Sequence, residues 1–161
     1  MDVLREANRR AAAGDDIVHL EVGQPGTHAP AKVREAAIAA VRDERLGYTD
    51  ALGIRALRER IAAHYDSMYG VDVAPERIVV TTGSSGGFLL AFLAAFDVGD
   101  RVALAAPGYP AYRNILSALG VEPVVVETSI EDRFQPTPGV IGGVTDDLDG
   151  LIVASPSNPT G

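Results

Sequence analysis

The sequence predicts an α/β fold: three layers, α/β/α, built on a mainly parallel sheet and preceded by an N-terminal helical arm. Three observations predict it. Short β-branched runs alternate with helical segments through the second half of the chain, the runs are continuously apolar, and each is followed by a loop rich in Gly, Pro or Ser. A strand that is apolar on both sides needs cover on both faces, which is the pattern of parallel sheets linked by crossover helices.

Residues 2–13 read as a short helix ending near Gly14, and 17–20 as a short extended segment. Pro30 stands where a helix favours its first residue, and strong helix formers follow over 31–44. Residues 47–53 form a loop. From Ile54 the apolar positions Ile54, Leu57, Ile61, Tyr65 and Met68 recur at helical spacing until Gly70 ends the helix. Glu59, Arg60 and Asp66 fall on its solvated face. Residues 78–81 are expected to form a strand, 83–87 a glycine-serine turn, and 88–96 a helix apolar on every side. A second strand over 101–105 leads through a Pro107–Pro110 turn to a helix carrying Ile115, Leu116 and Leu119. Residues 121–126 and 151–154 read as the third and fourth strands. The polar stretch between them, with Asp146, Asp147 and Asp149, carries no definite element.

Composition narrows the function classes. The chain has 161 residues, 47% hydrophobic and 22% charged, enough for one well-buried domain and unlike a disordered segment. A net charge of −8 speaks against a nucleic-acid binder and against attraction to an anionic membrane surface. It does not speak against phosphate binding, because a helix start supplies a positive field locally. The absence of cysteine removes disulfides, thiolate catalysis and cysteine-bound zinc. The N-terminus lacks a signal-peptide pattern, and the longest apolar run is about half of a bilayer crossing. A cytoplasmic protein is the expectation. Lys32 is the only lysine, so an amine nucleophile within this chain is Lys32 or the N-terminus.

In open parallel sheets ligands sit beyond the carboxyl ends of the strands. The loops 82–87, 106–109 and 155–161 all follow expected strands and can face one cleft. Thr81-Thr82-Gly83-Ser84-Ser85-Gly86-Gly87 joins small residues to a helix start, where free amides and the dipole favour an anion. It lacks the Gly-Lys-Ser/Thr of a Walker loop and the GxGxxG of dinucleotide folds. A tight turn with a serine N-cap accounts for it equally well. In Ala106-Pro107-Gly108-Tyr109-Pro110-Ala111-Tyr112, the Tyr109 ring could stack on a flat heteroaromatic group, although a packed turn tyrosine is the simpler account of it alone. In Ser155-Pro156-Ser157-Asn158-Pro159-Thr160-Gly161, two prolines stiffen a loop and aim Asn158, whose amide can donate to a phenolate-type oxygen.

The order of five segments carries a family resemblance. Val22-Gly23-Gln24-Pro25, Gly47-Tyr48-Thr49 with Gly53 and Leu57-Arg58, Thr81-Thr82-Gly83, Pro107-Gly108-Tyr109-Pro110 and Asn158-Pro159-Thr160-Gly161 resemble the class I/II aminotransferases of fold type I, from about Val18 to Gly161. The resemblance implies pyridoxal 5′-phosphate as cofactor, with an amino acid and a 2-oxo acid as substrates. It implies that residues 1–47 are an N-terminal arm and part of the small domain, and 48–161 the incomplete N-terminal part of the large cofactor-binding domain. The amides of Ser84 and Ser85, with the Ser85 hydroxyl, would hold the phosphate. Tyr109 would stack on the pyridine ring and Asn158 would bond its 3′-oxygen. Tyr48 would reach the phosphate in the other subunit's site, implying a homodimer with shared active sites. The Gly23 backbone would lie near the substrate α-carboxylate. Gly86 stands where members often carry a larger polar residue.

The family's Schiff-base lysine, its aspartate for the pyridine nitrogen and its substrate-binding arginine are expected beyond Gly161. No catalytic residue is therefore assigned here, and no metal ligand. Lys32, in the first turn of a helix, reads as a solvated surface residue. His19 and His64 read as structural or solvated, while His28 sits in a loop on the expected substrate side. A β-lyase or decarboxylase on the same scaffold, or a non-catalytic dimerisation or phosphate-binding module, fits the same motifs.

Overall fold

The structure, a computed structural model, describes residues 2–23, 25–144 and 147–161. Gln24 and Asp146, both named above, lie outside the described residues. The chain divides into two compact units, residues 1–48 and 49–161.

The first unit holds two helices, α1 (Asp2–Ala12) and α2 (Ala31–Asp43). Helix α1 is laced by surface ion pairs, including Arg9 to Glu6 at 2.6 Å and Arg10 to Asp15 at 2.8 Å. Pro30 is the N-cap of α2 and not, as expected, its first helical residue, so the helix starts one position later. Its ψ of 145° is extended, and its carbonyl accepts from the Val33 and Arg34 amides, which starts the helix at Ala31. Lys32 is exposed in the first turn. Residues 17–20 join no ladder. Next to them, His19 Nδ1 lies 2.7 Å from Glu21 Oε1, a contact that holds the Glu21 carboxyl below its ordinary range.

The second unit begins with α3 (Arg55–Tyr69). Gly70 caps it in the left-handed region, its N–H donating to the Asp66 carbonyl, as the sequence predicts. The apolar stripe of α3 is only partly covered: Leu57, Tyr65 and Met68 stay exposed, and the residue buried on this helix is Arg58. A short 3-10 turn, Pro75–Arg77, leads into residues 78–81. Ile78 is extended, but the run forms no strand. A run becomes a strand only by pairing, and among the described residues the long-range backbone bond made here is the one from the Val80 N–H to the Leu52 carbonyl at 3.0 Å.

Three strands form one parallel sheet: β1 (Arg101–Ala106), β2 (Glu122–Glu127) and β3 (Gly150–Ile152), in the order β2-β1-β3. Arg101 pairs with Glu122 and Val102 with Gly150, so β1 is central and bonded on both sides. Helix α4 (Ser84–Ala95) precedes β1, and α5 (Pro110–Ala118) crosses from β1 to β2. The core lies between these helices and one face of the sheet. It consists of Phe92 from α4, Val102 and Leu104 from β1, Leu116 from α5, and Val121. Val102 and Leu104 are two apart on a strand and therefore share a face. Helix α4, apolar from Phe88 onward, turns Phe88 and Phe92, with its C-cap Phe96, to this core and leaves Leu89, Leu90 and Leu93 exposed.

The polar stretch after β2 contains one element that the sequence did not announce, α6 (Pro138–Gly142), whose N-cap Thr137 accepts from the Val140 N–H. Asp149 closes the stretch onto β1: its carboxylate accepts the Arg101 N–H at 2.8 Å, which sets the register of β3.

Candidate functional site

The strand order reverses at β1, since the chain runs from β1 to β2 on one side and returns to β3 on the other. Crevices at such reversals lie beyond the carboxyl ends of the strands. A small pocket of about 20 Å³ occurs there, with Leu104, Ala105 and Gly108 on one wall and Ile152, Ala154 and Ser157 on the other. Beside it, a second pocket of about 100 Å³ lies under Gly108, Tyr109 and Arg113. Gly108 belongs to both. A Cβ on it would meet the Ala105 carbonyl oxygen at 2.5 Å, so the tight turn out of β1 requires glycine there.

Two of the sequence-predicted loops line these pockets, 106–109 and 155–161, while the 82–87 loop lines neither and is joined to them through the Phe88–Tyr112 contact. The Thr81–Gly83 turn is closed by the Thr81 hydroxyl, which donates to the Gly83 carbonyl at 2.8 Å. Gly83 is the N-cap of α4, with φ 82°, and the helix begins at Ser84. The expected glycine-serine turn is therefore mostly the first turn of the helix. This puts the Ser84, Ser85 and Gly86 amides among those a helix start leaves without an intrahelical acceptor. A Cβ at Gly86 would meet the Thr82 hydroxyl at 3.4 Å, an ordinary contact.

Tyr109 caps α5, and its ring meets Tyr112 edge-on at 5.4 Å between centroids. Tyr112 in turn meets Phe88 edge-on at 4.8 Å. Phe88 lies one turn after Ser84, so this aromatic chain links the start of α4 to the start of α5. Asn158 is exposed, and its neighbour Ser157 lies against the same pocket as Gly108 and Tyr112. The Ala106–Pro107, Ser155–Pro156 and Asn158–Pro159 peptide bonds are cis. Tyr48 and Gly23 belong to the first unit; Tyr48 is fully exposed, and a Cβ at Gly23 would meet nothing within 4 Å. His28 is exposed, and His64 lies on α3 with its ring edge-on to Tyr69 at 6.0 Å.

Sequence reasoning missed two contributors. The turn after β2 brings Phe134, Gln135 and Pro136 to the small pocket, with Arg133 and Phe134 both at positive φ (53° and 56°). The Gln135 amide reaches the Gly161 carbonyl at 3.5 Å, tying this turn to the Asn158 segment. Nothing in the residue pattern of 127–137 marks such a turn. The second is the role of Arg58, which the resemblance includes without assigning it one: it lies four residues after Ile54 and three before Ile61, on the apolar face of α3. Among the described residues no group of His, Cys, Asp and Glu is arranged to hold a metal ion, and no helix is long and apolar enough to cross a membrane.

Residues 15–161 match the sequence profile described as aminotransferase class I and II. The chain belongs to this family. Valine–pyruvate aminotransferase of Mycobacterium tuberculosis is 55% identical over 161 residues, covering all of this chain and 42% of that protein. An aspartate aminotransferase of Thermotoga maritima is 33% identical, covering the whole chain and 43% of its own length. Among solved structures, an aminotransferase from Mycobacterium tuberculosis superposes with a TM-score of 0.89 at 54% identity, over 99% of this chain and 41% of that one. Thermus thermophilus aspartate aminotransferase with maleate gives the same TM-score at 33% identity, over 98% of this chain and 42% of that one. The class I/II chain described here thus spans about two fifths of the length of the relatives it matches.

Proposed function

We propose that this chain supplies the cofactor cradle of a pyridoxal-phosphate-dependent aminotransferase that moves an amino group between an amino acid and a 2-oxo acid. The observation that carries the proposal is that Gly108, from the loop before α5, and Ser157, beside Asn158, share a pocket at the carboxyl end of a parallel sheet, with α4 joined to it through Phe88 and Tyr112, in a chain of the aminotransferase family.

The donor set fits the cofactor. The helix-start amides of Ser84 and Ser85, with the Ser85 hydroxyl, suit a phosphate dianion. Tyr109 offers an aromatic face, braced by Tyr112, for a pyridine ring. The exposed Asn158 amide suits an anionic ring oxygen at the 3′ position. Bound there, pyridoxal phosphate supplies the electron sink for the substrate's Cα–H bond. The chain's part is to fix the ring and its phosphate so that the orientation is set before substrate arrives. The Gly23 backbone would approach the substrate carboxylate, consistent with its open main chain. Tyr48, fully exposed, would reach the phosphate held by the partner subunit, so the working enzyme is a homodimer with shared sites, and its location is the cytoplasm. We assign the domain boundary of the whole enzyme near residues 47–48. Lys32 has no part in the chemistry, and the amine that holds the cofactor comes from outside this chain.

Valine and pyruvate are the first substrates to test, because the Mycobacterium tuberculosis relative that bears those names is 55% identical. The full-length enzyme should convert valine to its 2-oxo acid beyond one equivalent per site only when a 2-oxo acid acceptor is present, forming one alanine per pyruvate consumed. Release of carbon dioxide or ammonia without acceptor consumption would instead assign a decarboxylase or a lyase.

A further inference from the structure

We infer that Arg58 is a positioning residue for the phosphate-binding start of α4, an inference that rests on the reading of that helix start given above. The Arg58 guanidinium is buried, with the residue 9% exposed, and it serves main-chain oxygens. Nε donates to the Gly53 carbonyl at 3.1 Å and Nη1 to the Pro75 carbonyl at 3.2 Å. No carboxylate among the described residues forms an ion pair with it. A buried guanidinium bonded to two carbonyls from distant segments fixes backbone; it does not balance a local charge.

What it fixes is the approach to α4. By holding Gly53 and Pro75 together, Arg58 joins the loop before α3 to the turn that leads into residues 78–81. Leu52, next to Gly53, accepts the Val80 N–H at 3.0 Å. Gly53 itself (φ 94°) lies so close to Val80 that a Cβ there would meet the Val80 Cβ at 2.7 Å. Residues 78–81 have no ladder partner among the described residues, so this clasp is their lateral support. Only Thr81 and Thr82 then separate Val80 from Gly83, where the chain turns into the helix. A shift of the loop at Gly53 is passed along this short run to the Ser84 and Ser85 amides. The planar fork of arginine can serve both carbonyls in fixed directions; a lysine ammonium is a point charge on a flexible stem.

The test compares two ligands on the apo form of the full-length enzyme, by equilibrium dialysis: pyridoxal phosphate and pyridoxal, which lacks the phosphate. Both occupy the ring site, so the ratio of their dissociation constants reports the phosphate site alone. Arg58→Lys and Arg58→Met are each expected to lower the preference for the phosphorylated ligand about tenfold, the worth of one weakened bond to a charged group. Lysine should not rescue. Ser84→Pro removes one amide at a helix position that tolerates proline, and it should lower the same ratio. If Ser84→Pro leaves the ratio unchanged, the reading of the helix start fails and takes this inference with it. If Ser84→Pro lowers the ratio while Arg58→Lys lowers only the thermal midpoint, Arg58 is structural and the inference alone is overturned. Should the Arg58 variants not fold, Gly53→Ala presses on Val80 from the same loop with Arg58 in place. The ratio is expected to fall there too, and an unchanged ratio in the folded Gly53→Ala enzyme overturns the inference.

Discussion

Tyr109 and Asn158 differ in what their side chains can give a bound ring, and the two losses should differ accordingly. Tyr109 offers a face, so Tyr109→Phe should retain the cofactor, whereas Tyr109→Ala should weaken it by about 0.5–1.5 kcal/mol, the usual worth of an aromatic contact beyond its buried area. Dialysis of the full-length variants against buffer, followed by assay of residual pyridoxal phosphate, measures this; equal retention by all three would remove the stacking role. Asn158 offers a donor to an anionic oxygen. Asn158→Ala should cost about 1.5–3 kcal/mol in cofactor affinity, and Asn158→Asp more, because it brings a negative charge to the same oxygen. If Asn158→Asp binds as tightly as the parent, the amide does not face that oxygen.

At the scale of elements, packing decides which parts bear load. Leu116 is fully buried between α5 and the sheet, so Leu116→Ala should lower unfolding stability by about 2–5 kcal/mol. Gly70→Ala meets open space, and its cost, about 1–2 kcal/mol, comes only from the left-handed backbone. Urea titration of the full-length enzyme separates the two, and the order should be Leu116→Ala well above Gly70→Ala. The legible elements were those whose signal is local. Helices α1 to α5 and strands β1 to β3 follow from apolar runs, helix formers and glycine stops within a few residues of each boundary. The β-branched residues of 78–81 predict a strand, but strandness is conferred by a neighbour, which a local pattern does not contain. The same reason applies at the site. Ser84, Ser85, Tyr109 and Asn158 stand out because each lies in or beside a short run of small or rigid residues after a β-branched or apolar run. The turn at Arg133–Phe134 and the clasp of Arg58 are long-range, tying residues 58 to 75 and 135 to 161, and no short window holds both ends.

At the scale of the whole molecule, the proposed cradle can be tested apart from covalent chemistry. This chain has one lysine, exposed in the first turn of α2. Incubated with pyridoxal phosphate and borohydride, the 161-residue chain should be labelled on Lys32 no faster than a free lysine side chain, in linear proportion to reagent, by peptide mass spectrometry; saturable labelling at one equivalent of reagent would mean that the chain holds its own amine partner. The exposed Leu89, Leu90 and Leu93 on α4, with the unpaired edges of a three-stranded sheet, should make the same chain self-associate. Leu90→Glu with Leu93→Glu should shift its light-scattering mass downward. The measurement that bears most directly on the cradle is a crystal structure of the full-length enzyme loaded with pyridoxal phosphate. The expected result is a phosphate within hydrogen-bond distance of the Ser84 and Ser85 amides, with the ring against Tyr109 and its 3′-oxygen on Asn158. A phosphate seated elsewhere, with the start of α4 open to water, would contradict it.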